Sequence, residues 1–189
     1  MEKKRYPDLM LDLETLGNTD HSAIVQIGAC YFDINTGDIG RCFSIDMIIE
    51  DSCKYGVIDT STVVWWLQQS KEAQESVFGE RPVRVILKDA LKEFSHTMTE
   101  GIENVWCHVD FDWIILQNAY KAVGMNFPFK YWQRQDLRTI TRLANVTPYK
   151  DYVNEGVAHN ALDDCKFQVK YTVGCYQKLR GDLCQDRRD

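Results

Sequence analysis

Two carboxylates near the start of the chain have a spacing that would allow both to bind one metal ion. The segment LDLET, residues 11–15, is an apolar run that contains Asp12 and Glu14. Because alternate residues of a strand point to the same face, these two side chains would share one face. Acids are depleted in strands and costly to bury, so the pair needs either a cation or solvent. A solvated acidic strand end explains this short pattern as well as a metal site does.

A second acidic motif is Phe111-Asp112, which opens an apolar stretch directly after a short predicted strand. Acids are common in the first turn of a helix because they complement the helix dipole. That ordinary explanation accounts fully for Asp110, and it also accounts for Asp112 when the motif is considered alone.

The third motif is HNALDD, residues 159–164. At about 100° per residue, His159 and Asp164 would point some 140° apart on an ideal helix, so they could serve one site only if His159 preceded the helix. Asp164, Cys165 and Gln168 would then lie on one stripe of the helix. Taken alone, a capping histidine is the simpler explanation of the string.

The three motifs occur in the order Asp-x-Glu-Thr, Phe-Asp and His-x-Ala-x-x-Asp, between Asp12 and Asp164. This arrangement resembles the DEDDh branch of the DnaQ-like 3′–5′ exonucleases, in the ribonuclease H-like superfamily. The segments 63–69 (VVWWLQQ) and 134–139 (RQDLRT) are more narrowly similar to its small stand-alone subgroup, the phage exonuclease A-type and mycobacterial-type 3′–5′ exoribonuclease enzymes.

The resemblance implies a metal-dependent 3′–5′ exonuclease that removes nucleoside 5′-monophosphates from the 3′ end of DNA or RNA. It implies two divalent cations, and all-carboxylate ligation selects Mg²⁺ or Mn²⁺. Asp12 would bridge both ions, Glu14 and Asp164 would complete one, and Asp112 would hold the second. His159 would be the general base, since an ordinary histidine is largely neutral at physiological pH.

Five further residues are candidates to bind substrate. Thr15 and Leu16 follow the metal-binding strand and could seat the terminal nucleotide. Trp65 or Trp66 could stack on a base, but adjacent helical positions point about 100° apart, so both cannot face one site; core packing is the ordinary fate of either. His108 stands where relatives often have the Asn of a His-Asn pair, a departure that concerns substrate positioning rather than the metal site.

Two alternative functions belong to other classes. A ribonuclease H-like endonuclease also uses clustered carboxylates, but it does not require the His159 motif. A catalytically inactive nuclease fold acting as a binding or scaffold module would be indicated by loss of any of the five residues, and none is lost. With 28 acidic and 22 basic residues, the chain has net charge −6 and little means of binding nucleic acid without metals.

Length and composition suit a single exonuclease domain over residues 1–189, with 44% hydrophobic and 26% charged residues. No apolar run approaches the roughly 20 residues that span a bilayer, and the basic start, residues 1–5, does not lead into a signal peptide. We therefore expect a cytoplasmic protein without a membrane partner, acting on single-stranded or 3′-overhang nucleic acid. No motif indicates DNA or RNA preference or oligomeric state, and a homodimer is left open.

The elements that must position these residues follow an α/β pattern. Strands are predicted over 9–13, 23–34, 39–47 and 104–107, with a hairpin turn at 35–38. Helices are predicted after the N-cap region 59–61, from Pro82 through apolar residues 85–94, and over 111–123, 138–144 and 158–179. This order predicts a mixed central sheet, and the resemblance implies the ribonuclease H-like form with five strands, flanking helices and Asp12 and Glu14 on a central strand.

Overall fold

The computed structural model describes residues 5–80 and 83–185, with side chains up to residue 181. A five-stranded mixed sheet with the order β3-β2-β1-β4-β5 forms its centre. The strands are β1 (Asp8–Thr15), β2 (Ile24–Phe32), β3 (Ile39–Asp46), β4 (Asn104–Cys107) and β5 (Arg134–Asp136). The first three pair antiparallel, whereas β4 lies parallel to both β1 and β5. The predicted fold class, a five-stranded ribonuclease H-like sheet with flanking helices, is confirmed.

Eight α-helices flank this sheet in the described part of the chain: α1 (Ile49–Ser52), α2 (Thr60–Trp66), α3 (Lys71–Phe78), α4 (Leu87–Thr97), α5 (Ile114–Ala122), α6 (Leu137–Leu143), α7 (Pro148–Asp151) and α8 (Ala161–Gln185). A π-helical turn, Val109–Trp113, precedes α5, and a 3-10 turn, Tyr131–Gln133, precedes β5. Among the described residues, none of the helices combines the length and apolarity that crossing a bilayer requires.

The central strand β1 is buried along its whole length and has a different core on each face. Leu9, Leu11 and Leu13 belong to the core formed with α4 and α5, while Met10 belongs to the core formed with α8. Because side chains alternate along a strand, Asp12 and Glu14 share the face of Met10, the one that α8 covers. The alternation that keeps the leucines in the core therefore aims both acids at α8.

Several element boundaries differ from those predicted. The predicted helix over 158–179 begins at Ala161, because Asn160 caps it by accepting a hydrogen bond from the backbone N–H of Asp163 at 3.1 Å. Val85 lies before α4 and forms a bridge with Met47 instead of a first helical turn. Pro82 and the basic residues 1–4 lie outside the described residues.

The start of α8 lies directly against β2. Gly28 pairs with Asp12 of β1, and a Cβ built at Gly28 would come within 2.2 Å of the carbonyl carbon of Ala161. Gln26, on the same strand, accepts a hydrogen bond from the Ala161 N–H at 2.7 Å. A residue without a side chain at position 28 therefore allows α8 to approach the sheet beside Asp12.

Replacing Gly28 with alanine should move the start of α8 away from β2. Overpacking of this kind costs about 1–3 kcal/mol, so Gly28→Ala should lower the melting temperature by roughly 2–12 °C and reduce nuclease activity. Gly181→Ala is the matched control on the same helix, because no described atom lies within 4 Å of a Cβ there. Calorimetric melting of both variants checks this expectation, and equal melting temperatures would contradict the close approach at Gly28.

Candidate active site

A cleft of about 520 Å³ lies where β1, α2, the π-helical turn and the start of α8 meet. It collects the five residues of the three motifs: Asp12, Glu14, Asp112, His159 and Asp164. Its wall also includes Leu13, Thr15, Gly17, Asn18, Ser61, Thr62, Trp65, Trp66, His108, Phe111, Tyr149 and Gln168. Asp112 follows Asp12 by about a hundred residues, and Asp164 follows Asp112 by about fifty. The fold therefore brings acids from three distant segments into one cleft.

Asp12 and Glu14 form the floor of the cleft, and both are buried. Burial raises the pKa of Asp12 well above its usual range, and the charges of Asp112, Glu14 and Asp164 raise it further. Burial likewise raises the pKa of Glu14, together with the charges of Asp164 and Asp112. Both carboxylates therefore favour a proton or another positive charge in this position.

Asp112 is held in the cleft by two backbone donors on different elements. Its Oδ1 accepts from the Leu13 N–H of β1 at 3.2 Å, and its Oδ2 accepts from the His108 N–H at 2.9 Å. The pairing of β1 with β4 extends only from Asp8 to Met10, so the Leu13 N–H lies beyond it. The π-helical turn therefore places Asp112, which is 1% exposed, against the end of the central strand.

Asp164 and His159 are joined through the main chain. His159 lies in the turn before α8, with a left-handed φ of 63°, and its N–H donates to Asp164 Oδ2 at 2.8 Å. The Asn154 amide donates to Asp164 Oδ1 at 3.4 Å. Burial raises the pKa of Asp164 to about 6. Because His159 precedes the helix, the angular separation that an ideal helix would impose on this pair does not apply.

The His159 ring is enclosed by aromatic side chains on one side of the cleft. Its centroid lies 4.8 Å from that of Trp65 and 5.9 Å from that of Trp66, both in edge-to-face geometry. Burial lowers the pKa of His159 below its usual value. The imidazole therefore stays neutral, and able to accept a proton, at lower pH than an exposed histidine would.

The two tryptophans have different environments. Trp65 is 40% exposed, whereas Trp66 is 2% exposed and donates from Nε1 to the Thr15 carbonyl at 3.0 Å. Trp65 can therefore offer a ring face to a bound group, while Trp66 mainly supports the end of β1. Thr15 lines the cleft, and its hydroxyl donates to the Gly17 carbonyl at 2.6 Å.

Leu16, predicted to help seat the terminal nucleotide, does not line the cleft. Its side chain is buried with Ala23, Val25 and Trp66. Its N–H donates to the Ala23 carbonyl at 2.9 Å, and its carbonyl accepts from the Asp59 N–H at 2.8 Å. The backbone groups of Leu16 are thus used to join the loop after β1 to the rest of the fold.

Two groups of side chains in the cleft could each hold a divalent cation. Asp12, His108 and Asp112 offer ligand atoms that all lie within 4.8 Å of one another. The same is true of Glu14, His159 and Asp164. The four carboxylates are hard oxygen donors of the kind that Mg²⁺ and Mn²⁺ prefer, and they lie where mutual repulsion already favours bound positive charge.

Some residues of the cleft carried no functional signal in the sequence. Tyr149 reaches it from α7, and Asn18, Ser61 and Thr62 add polar groups near Trp65. The sequence predicts that Gln168 lies on the same face of the helix as Asp164. A single glutamine at this spacing does not, however, indicate a function. No local pattern could have identified these residues, because tertiary folding brings them together.

Comparison with known proteins agrees with this arrangement. The family model of the 3′–5′ exoribonuclease Rv2179c-like domain matches residues 7–175. The exodeoxyribonuclease of Enterobacteria phage T4 is 24% identical over 208 residues, covering 88% of this chain and 91% of the phage protein. These likenesses concern single chains and lend no support to the homodimer that the sequence left open.

Solved structures show the same fold at low sequence identity. Exonuclease I superposes with a TM-score of 0.65 and 13% identity over 87% of this chain, which spans only 39% of that protein. The nuclease domain of 3′hExo, a DEDDh family member bound to rAMP, superposes with a TM-score of 0.62 and 14% identity, over 91% of this chain and 92% of that one. The chain belongs to the family of the 3′–5′ exoribonuclease Rv2179c-like domain, a group of DnaQ-like 3′–5′ exonucleases with the ribonuclease H-like fold.

Proposed function

We propose that this exonuclease hydrolyses the phosphodiester bond at the 3′ end of a single-stranded or 3′-overhanging DNA or RNA and releases nucleoside 5′-monophosphates. Two divalent cations, Mg²⁺ or Mn²⁺, and His159 as general base would carry out the reaction. The observation that carries this proposal is the convergence of Asp12, Glu14, Asp112 and Asp164 on one cleft beside a half-buried histidine.

The carboxylates divide between two cation positions. Asp12 belongs to one group with Asp112, and it lies on the same strand face as Glu14, which belongs to the other group with Asp164. We therefore infer that Asp12 would contribute to both cation sites, that Glu14 and Asp164 would complete one, and that Asp112 would hold the other. When bound there, such ions lower the pKa of an attacking water and neutralise the charge that builds on the phosphoryl oxygens.

His159 would accept the proton of the attacking water. Its main chain is fixed through Asp164, and the contact with Trp65 restricts where the ring can lie. Its lowered pKa keeps the imidazole neutral near pH 7, which is the form that a general base requires. Asp164 thus both contributes to the cation site and anchors the segment that carries the base.

The terminal nucleotide would lie between Trp65 and the end of β1. Stacking of one base on an aromatic ring contributes about 1–3 kcal/mol, and Trp65 is the exposed one of the two tryptophans. Thr15 and Trp66 would shape the seat, while His108, beside Asp112 at 3.5 Å, would contact the nucleotide on the opposite side of the cleft. Within the described residues, no feature favours the endonuclease or the inactive binding module over this function.

Digestion of matched 5′-labelled oligonucleotides tests the reaction itself. With Mn²⁺, single-stranded or 3′-overhanging DNA or RNA should yield a ladder that shortens from the 3′ end, together with nucleoside 5′-monophosphates. A blunt duplex of the same sequence is the control, because it shows whether the enzyme requires an unpaired 3′ end. Internal cuts that appear without prior shortening would contradict the proposal and favour an endonuclease.

Removing one of the cleft carboxylates should impair metal binding without destabilising the metal-free fold. Asp12→Ala and Asp164→Ala should abolish nearly all turnover while the metal-free melting temperature stays equal or rises, because each relieves like-charge repulsion. For the parent, Mn²⁺ at 100 times its Kd should add about 2.7 kcal/mol, or roughly 5–10 °C in melting temperature, and this gain should be lost in both variants.

Asp110→Ala is the matched control for those melting experiments. Asp110 lies two residues from Asp112, but its side chain is 78% exposed and pairs with Arg138 instead of lining the cleft. Its variant should keep the activity and the Mn²⁺-induced gain of the parent. If Mn²⁺ raised the melting temperatures of the parent and of both cleft variants equally, these acids would not bind the metal.

Replacing His159 should affect the chemical step rather than binding. His159→Ala should lower kcat by about 10²- to 10⁴-fold, while KM and Mn²⁺ affinity remain near the parental values. The parental rate should fall only below the usual histidine pKa, because burial lowers the pKa of His159, and this acidic limb should weaken in the variant. Steady-state kinetics over a pH series and a Mn²⁺ titration measure all three quantities.

His21→Ala provides the matched control, since His21 pairs with Asp20 at the surface and does not line the cleft. It should leave the pH–rate profile unchanged. Parental activity of His159→Ala across the acidic range would show that the histidine is structural. A collapse of Mn²⁺ affinity in that variant would show that His159 is a metal ligand rather than the base.

A further inference from the structure

Gln168 is a buried amide that contacts the proposed bridging carboxylate directly. It lies on α8 one turn after Asp164, is 6% exposed, and donates from Nε2 to Asp12 Oδ1 at 2.6 Å. Its Oε1 is buried and has no hydrogen-bond partner among the residues that the structure describes. The side chain therefore makes one short contact with the site and leaves its acceptor unused by the protein.

The chemistry of the pair fixes which way the amide points. An ionised carboxylate can only accept hydrogen bonds, so the amide must present its NH₂ group to Asp12. The reverse orientation would place the Oε1 dipole against a negative charge. Oε1 is consequently directed away from Asp12. Gln168 lines both the main cleft and a smaller cavity of about 190 Å³, which also share His108, Tyr149 and Asp164.

Packing alone does not account for a glutamine at this position. A buried amide with an unsatisfied carbonyl destabilises the folded state relative to an apolar side chain of the same shape. The neighbouring side chains Cys165, Phe167 and Val169 belong to an apolar core. A methionine would fill a similar volume without an unpaired acceptor, so the one contact that the amide adds is its hydrogen bond to Asp12.

We propose that Gln168 is a positioning residue, whose amide fixes the rotation of the Asp12 carboxylate so that its free lone pairs face both cation positions. This inference rests on the proposed two-cation function. Asp12 has no other hydrogen-bond donor to either carboxylate oxygen among the contacts of the described residues. Asp112 and Asp164, by contrast, are each held by at least one backbone N–H. Gln168 thus gives Asp12 the orientation that the main chain gives the other two.

Gln168→Met separates this role from a structural one. The metal-free melting temperature should stay near that of the parent, because removal of the unpaired acceptor offsets loss of the hydrogen bond to Asp12. Mn²⁺ affinity, measured by calorimetric titration of the metal-free protein, should fall by about 10- to 100-fold, the usual effect of removing a group that orients a metal ligand. kcat should fall in parallel, with a smaller change in KM.

Thr172→Val is the matched control one turn further along α8. Thr172 is fully buried and its hydroxyl also lacks a partner among the described residues, but it lines neither the main cleft nor the smaller cavity. It should keep parental Mn²⁺ affinity and activity. Gln168→Leu is a second apolar variant that lacks the donor, so it should also weaken Mn²⁺ binding.

The outcomes distinguish this inference from the function on which it rests. If the parent binds Mn²⁺ and the Met and Leu variants bind it with parental affinity, Gln168 does not position Asp12, and the proposed function stands. If the parent itself binds no Mn²⁺, both fail. Weakened binding in the two variants, with an unchanged or raised metal-free melting temperature and a parental Thr172→Val protein, supports the positioning role.

Discussion

Repulsion among four carboxylates in one cleft is the constraint on which the rest of this structure depends. Asp12 and Glu14 lie side by side on a buried strand, with Asp112 and Asp164 against them, and burial and mutual charge raise the pKa values of Asp12 and Glu14. Without metal, this arrangement costs folding free energy. The fold must therefore hold the acids in place through hydrogen bonds that leave oxygen lone pairs free for a cation.

The supporting contacts come from β1, from the residue after β4 and from the turn before α8. Asp112 receives N–H groups from β1 and from the end of β4, and Asp164 receives one from the turn that carries His159. The close approach of α8 to β2 at Gly28 brings that turn over the central strand. The same helix carries Gln168 back to Asp12. Helix α8 therefore links the four clustered acids, the proposed base and the orientation of Asp12, the proposed bridging carboxylate.

Sequence alone predicted the parts of this arrangement that depend on local pattern. The strands over 9–13, 39–47 and 104–107 show apolar or β-branched runs bounded by turns, and the order of three motifs implied the fold and the five central residues. Strand β5 was not identified, because RQD is short and polar and pairs only through the tertiary placement of β4. Helix α3 was not identified either, since its sequence KEAQESVF has few apolar positions.

The details of the site depended on geometry that no spacing encodes. Asn160 starts α8 and thereby leaves His159 in a left-handed turn, a conformation that a sequence pattern does not reveal for a residue other than glycine. Leu16 was expected at the cleft because it follows Thr15, but its backbone is used in loop contacts. Trp65 and Trp66 are adjacent and chemically identical, and only the packing of α2 decides which of them is exposed.

The central claim is that the clustered acids hold two cations with Asp12 between them. Diffraction from crystals soaked in Mn²⁺ and a nucleoside 5′-monophosphate, recorded at the manganese absorption edge, locates the metal directly. The account predicts two anomalous peaks about 3.5–4 Å apart, one beside Asp112 and one beside Glu14 and Asp164, with Asp12 in contact with both. A single peak that Asp12 does not touch, or manganese bound only outside the cleft, would contradict it.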